Sequence, residues 1–186
     1  MERIDGEDID YFLLQIEEVF NEAADRENDD GEWMIFSGFR IWVPKIFSLA
    51  DQESASEIFW SEYRPDIMLF TDKKTEGVTL QTLGGMGIIG AGGGHPIESV
   101  KQLLETIDDR NVYYDMGVTD GNVKIYWIEY KSFAGEERVY NLLFLFQTEA
   151  GDILGTFYCI FEEYEKWKPM AWEMIQSIRE ETDEGI

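Results

Sequence analysis

Residues 112–178 read VYYDMGVTDGNVKIYWIEYKSFAGEERVYNLLFLFQTEAGDILGTFYCIFEEYEKWKPMAWEMIQSI. Four runs rich in aromatic and β-branched residues follow one another there. The spacing predicts strands over Val112–Val118, Val123–Lys131, Arg138–Gln147 and Ile153–Phe161. Turn chemistry separates them: Asp120-Gly121 is a strong hairpin signal, and Ala134-Gly135 and Ala150-Gly151 follow. A single helix then closes the series, opened by Pro169 and burying Ala171, Met174, Ile175 and Ile178. Strands in sequence followed by a helix imply an α+β fold, an antiparallel meander packed with helices, and leave little room for repeated βαβ units.

Upstream, Pro96 suits a first helical position, and a helix to about Asp108 would bury Ile97, Val100, Leu104 and Ile107. Ile67–Thr71 and Val78–Leu83 read as two strands joined through Asp72–Gly77. Residues 34–43 read as one strand with Ile35, Phe39, Ile41 and Val43 near one face, ended by Pro44. Residues 47–66 are ambiguous, and within them Ala50–Trp60 fit either a short helix or an ordered loop. Ile9, Phe12, Leu13, Ile16, Phe20 and Ala23 recur at helical steps, so 7–25 is expected to be an amphipathic helix. A chain of 186 residues reads as a single domain: an acidic N-terminal helix and loop over 1–32, a sheet-and-helix core over 33–180, and a frayed tail over 181–186.

Charge narrows the functional classes. The net is −24, from 39 acids against 15 bases. Residues 1–33 hold 13 acids and 2 bases, a net of −11, and residues 162–186 hold 8 and 3, a net of −5. Such a surface repels phosphate backbones and anionic lipids, so neither nucleic acid nor membrane is the expected partner. A basic protein partner would be steered towards it. No stretch has the apolar length of a membrane span, and Met1–Asp5 carry no signal-peptide pattern, so a cytoplasmic location is expected. The lone cysteine, Cys159, lies in the apolar run Phe157–Phe161 and reads as a core residue.

The sharpest local oddity is the glycine-rich stretch Gly84, Gly85, Gly87, Gly90, Gly92, Gly93, Gly94 and His95. Gly85, Gly87 and Gly90 spell a dinucleotide fingerprint, but Gly92–Gly94 delay the helix, whose amide groups must meet the pyrophosphate. The bland alternative is a mobile loop; the functional one is a loop closing over a peptide or small ligand. His95, the only histidine, sits at the expected N-cap of the Pro96 helix, and no nucleophile elbow accompanies it. An EF-hand frame around Asn28, Asp30 and Gly31 lacks both its opening acid and its closing glutamate. No catalytic residue, metal site or cofactor is therefore expected.

Aromatics supply the remaining clue. Tyr126 and Ile128 oppose Ile125 and Trp127 along one strand, and Leu143 and Leu145 oppose Phe144 and Phe146 along the next. Large residues on both faces require cover on both faces, from helices or from a partner. Trp42, Trp60, Tyr126 and Tyr130 are the expected partner surface.

The piece Gly38-Phe39-Arg40-Ile41-Trp42-Val43-Pro44 resembles the apolar strand with proline that opens PsbP-like domains. The strand ending Phe157–Phe161, the helix ending Gln176-Ser177-Ile178 and the helix before the hairpins are similar as well. The likeness, to DcrB-type bacterial domains in particular, covers roughly residues 33–180; the 7–25 helix and the glycine-rich loop depart from it. It implies an α/β/α sandwich around an antiparallel sheet that binds other proteins, and the superfamily has no shared catalytic motif to carry over. A second resemblance is to small acidic type III secretion chaperones, which also bind extended client segments. Together these readings predict a non-enzymatic protein-binding domain (chaperone, adaptor or toxin-neutralising partner). The competing expectation is a small-ligand binder or enzyme with its site framed by loop 84–95.

Overall fold

β-Branched and aromatic residues dominate the second half of the chain, and they form the long strands expected of side chains that pack on a pleated surface. The computed structural model describes residues 30–51, 64–84, 89 and 95–181. The expected 7–25 helix, Trp60 and most of the glycine-rich loop lie outside them. In chain order the elements are β1 (Gly31–Phe36), β2 (Phe39–Pro44), β3 (Ser48–Leu49), β4 (Ile67–Phe70), β5 (Gly77–Leu83), α1 (Pro96–Ile107), β6 (Val112–Asp120), β7 (Lys124–Ala134), β8 (Glu137–Thr148), β9 (Gly151–Ile160), α2 (Tyr164–Gln176) and β10 (Arg179–Glu180). A 3-10 turn, Phe161–Glu163, leads into α2. Glu32–Ile186 make one compact unit.

The predicted meander forms as β6-β7-β8-β9, every neighbour antiparallel. The β4–β5 pair then docks beside β9, the last strand of the meander, so the sheet order is β3-β4-β5-β9-β8-β7-β6. A smaller sheet, β1-β2-β10, joins the first strands to residues just beyond α2, with Arg179 opposite Arg40.

Alternation along the strands divides the apolar residues between two faces. On one face Tyr140, Leu142, Phe144, Phe146, Phe157 and Cys159 meet Phe39, Ile41 and Val43 of β2 and Ala171, Met174 and Ile175 of α2. On the other, Ile128, Tyr130 and Leu143 lie under Ile97 and Val100 of α1. Both faces are thus covered in part from within the chain, as a layered α+β fold requires.

Three strand glycines each sit opposite a cross-strand aromatic. Gly155 pairs with Phe144, Gly117 with Trp127, and Gly77 with Phe70 on one side and Tyr158 on the other. The rings lie over the bare α-carbons: a methyl group at Gly117 would come 2.9 Å from the Trp127 ring, and one at Gly77 2.6 Å from that of Phe70.

Three expectations are corrected. Residues 34–43 are a hairpin and not one strand, because Gly38 adopts φ +85° and reverses the chain; Ile35 consequently faces outward at 64% exposure, away from buried Phe39, Ile41 and Val43. Pro169 lies inside α2, which starts at Tyr164. Pro169 and Glu165 both lie on the exposed side, where solvent can satisfy the Glu165 carbonyl that the proline leaves without its usual donor. Ile107 is 71% exposed and stands outside the buried stripe of α1.

Candidate protein-interaction surface

α1 begins at Pro96, with His95 as an N-cap that makes no side-chain capping bond. Its inner side buries Pro96, Ile97 and Val100, with Leu104 half-buried beside them. The Lys101 ammonium sits 5.2 Å from the centre of the Tyr113 ring, which sets that flank of the helix against β6. At 100° per residue, Leu103 and Ile107 then fall on the opposite flank. They are 60% and 71% exposed.

β6 is the outermost strand of the large sheet. Its pairing with β7 shifts between Tyr113 and Asp115, leaving Tyr114 in a bulge where its ring stacks on Phe161. Beyond the bulge, Asp115–Asp120 pair regularly with Glu129–Lys124. Met116 and Val118 share the face of Ile128 and Tyr126 and stay exposed by more than a third of their surface. Asp115 takes the other face, directly opposite Glu129. Glu129 is buried and held by the Lys168 ammonium of α2 at 2.8 Å. Asp115 is exposed, accepts only its neighbour Met116 N–H, at 2.9 Å, and has no ion-pair partner among the described residues.

The residues expected to form a site are dispersed. Tyr130 is 7% exposed beneath α1, its ring tilted against that of Tyr113 with centres 5.7 Å apart, and burial pushes its phenol up to about 12. Tyr126 is half-buried with its ring edge-on to His95, centres 5.2 Å apart. Trp42 is half-buried on β2, far along the chain from both, and its backbone N–H donates to Ser177 Oγ at 2.8 Å. Of the glycine-rich stretch, Gly84 lies in the turn after β5, and Ile89 N–H donates to Asp152 Oδ2 at 2.9 Å. Asp152 is 2% exposed and also accepts Gln147 Nε2 at 3.2 Å, so a buried carboxylate at the start of β9 tethers that stretch. Gly85, Gly87, Gly90, Gly92, Gly93 and Gly94 lie outside the described residues.

A cleft of about 350 Å³ opens between the β2–β3 connection, the β4–β5 turn and the start of α2. Lys45, Lys73 and Lys166 line it together with Asp72, Glu76 and Glu163. Buried Glu76 accepts the Thr71 and Thr75 hydroxyls at 2.7 and 2.8 Å. The nearby Cys159 thiol is pushed up to about 12, by burial first and then by the charges of Glu76 and Glu163, so it stays protonated and inert as a nucleophile. The cleft balances its own charges and holds no activated nucleophile.

The exposed apolar strand β6 and the outer flank of α1 are what sequence reading missed. Their residues are apolar and periodic, the same signal that a core residue gives. Among the described residues no helix is long and apolar enough to cross a membrane. No family model matches the sequence, and no curated protein matches it. Among solved structures it is similar to cyanobacterial PsbP (CyanoP) from Synechocystis sp. PCC 6803, at 11% identity and TM-score 0.59, covering 84% of this chain and 96% of that one. Others are a Pseudomonas aeruginosa protein of unknown function, PA94, described as a putative regulator (6% identity, TM-score 0.43, 79% and 94% covered), and LpqN of Mycobacterium tuberculosis, described as involved in cell envelope biogenesis (10%, 0.40, 84% and 88%). At such identities the likeness to CyanoP speaks to architecture alone, and in architecture this chain is an α+β, PsbP-like fold.

Proposed function

We propose that this chain is a non-enzymatic protein-binding domain whose partner docks on the α1–β6 side. One observation carries the proposal. Six of the ten exposed large apolar side chains among the described residues, Leu103, Ile107, Val112, Tyr114, Met116 and Val118, fall within that one stretch. Met116 and Val118 stand side by side on one face of β6 and Leu103 and Ile107 on the outer flank of α1, and exposed apolar groups so placed are a mark of association. The strong negative charge supports a protein partner of basic character over nucleic acid or lipid. We propose a cytoplasmic location, with which the buried free thiol of Cys159 is compatible.

Photo-crosslinking residues placed at Ile107 and at Met116 test this in the native cell. The expected result is a discrete cross-linked polypeptide from either site and none from a control at exposed Glu149. Recovery of free chain alone from both sites, at low salt, would overturn it.

A further inference from the structure

We propose that β6 takes an extended segment of its partner as an eighth strand, with lysine or arginine opposite Asp115 and apolar residues opposite Met116 and Val118. This rests on the protein-binding reading above and names the chemistry of the partner.

The two edges of the large sheet differ. β3 is two residues long, whereas β6 spans nine and contains neither lysine nor proline, the residues that commonly blunt an edge. The bulge at Tyr114 interrupts β6 only at its start, and among the described residues the regular stretch Asp115–Asp120 has no strand on the side away from β7.

Side chains set what can pair there. Asp115 faces Glu129 across the strands, and like charges directly opposite repel. Lys168 neutralises Glu129 from the α2 side, and among the described residues no cation does the same for Asp115. The next position in that row lies on an added strand, and a cation there completes it. On the other face the same strand would lay apolar residues against Met116 and Val118. The inferred ligand therefore alternates basic and apolar residues.

Charge decides between occupants. Residues 96–120 carry six acids (Glu98, Glu105, Asp108, Asp109, Asp115, Asp120) against two bases (Lys101, Arg110), a net of −4. A second copy pairing symmetrically about Gly117 would match Met116 with Val118. It would also set Asp115 opposite Thr119, without a cation, and bring a second −24 against the first. The chain's own residues 1–33, with a net of −11, carry the wrong sign too.

The probe is a fluorescent ten-residue peptide alternating lysine and valine, titrated into the full chain. It should bind saturably and weaken as sodium chloride rises, and hydrogen exchange should show new protection at Val112–Asp120. A glutamate–valine peptide should not bind, nor should a lysine–valine peptide N-methylated at alternate residues. Asp115→Lys should weaken the lysine–valine peptide by about tenfold and confer binding of the glutamate–valine one. Met116→Ser with Val118→Ser should cost a similar factor, with the circular dichroism of the folded chain retained. Absence of binding, protection elsewhere, or indifference to Asp115→Lys overturns strand addition. So does protection, in the free chain, of the β6 amides that point away from β7, which sedimentation would assign to a dimer or to the chain's own segment. If strand addition fails while Ile107 or Met116 still cross-links a polypeptide, the protein-binding reading stands; if both fail, both fall.

Discussion

The tip of the Phe144 ring lies over Gly155, its register partner on the neighbouring strand, so that a methyl group at Gly155 would overlap the Cζ end of the ring. Phe144 is fully buried and stacks on Phe146, with centres 6.3 Å apart, so it has no room to withdraw. Gly155→Ala should destabilise the fold by about 3 kcal/mol, at the upper end of ordinary overpacking, read as a lower urea midpoint. Phe144→Leu in the same chain should recover part of the loss. An additive double mutant would show that the contact is not the cause.

Lys168 is the cation of a buried carboxylate. Lys168→Met leaves Glu129 buried and uncompensated, at an expected cost of about 3 kcal/mol. Glu129→Gln combined with Lys168→Met should be more stable than Lys168→Met alone, because the buried charge is then gone. Equal stability of the two variants in urea unfolding would refute the pairing.

Asp152 tethers the glycine-rich stretch through Ile89. Asp152→Ala should cost about 1–3 kcal/mol by orphaning the Ile89 N–H and the Gln147 amide. The distinguishing readout is local: amide exchange at Ile89 should speed up more than exchange in β8. Uniform acceleration would point to global loss of stability instead.

Stability should fall at high pH. Burial raises the Cys159 thiol from 9.0 and the Tyr130 phenol from 10.0, each to about 12. Above pH 9 the unfolded chain loses the thiol proton while the folded chain keeps it. The stabilisation is therefore complete below pH 9 and declines up to about pH 12, with a slope of up to about 1.4 kcal/mol per pH unit for each group. Cys159→Ala should flatten the decline between pH 9 and 10, as followed by urea midpoints. An unchanged slope there would exclude the thiol as its source.

The meander was legible because its signals are local: β-branched and aromatic runs, broken by Asp-Gly and Ala-Gly pairs. The docking of β5 on β9 was not, since no local periodicity tells which distant strands pair. Residues 34–43 look like one strand because Phe36 and Phe39 flank a short Ser37-Gly38 reversal that lacks a strong turn dipeptide. Pro169 misled because proline usually opens a helix, whereas the exposed side of α2 tolerates it further in. At the candidate surface the apolar pattern of Met116 and Val118 was visible, but exposure is set by strand order, which among the described residues gives β6 a neighbour on one side only. Tyr130, marked from sequence as surface, is covered by α1 for the same non-local reason.

The pairing of Arg40 with Arg179 has a consequence for biosynthesis. Translation delivers Phe39, Ile41 and Val43 well before α2 and β10, the helix and strand that pack beside them. Until α2 and β10 have emerged, the β1–β2 hairpin lacks the helix and strand that complete its cover. Closure of that part of the core therefore waits on contacts far apart in sequence, the kind that form slowly.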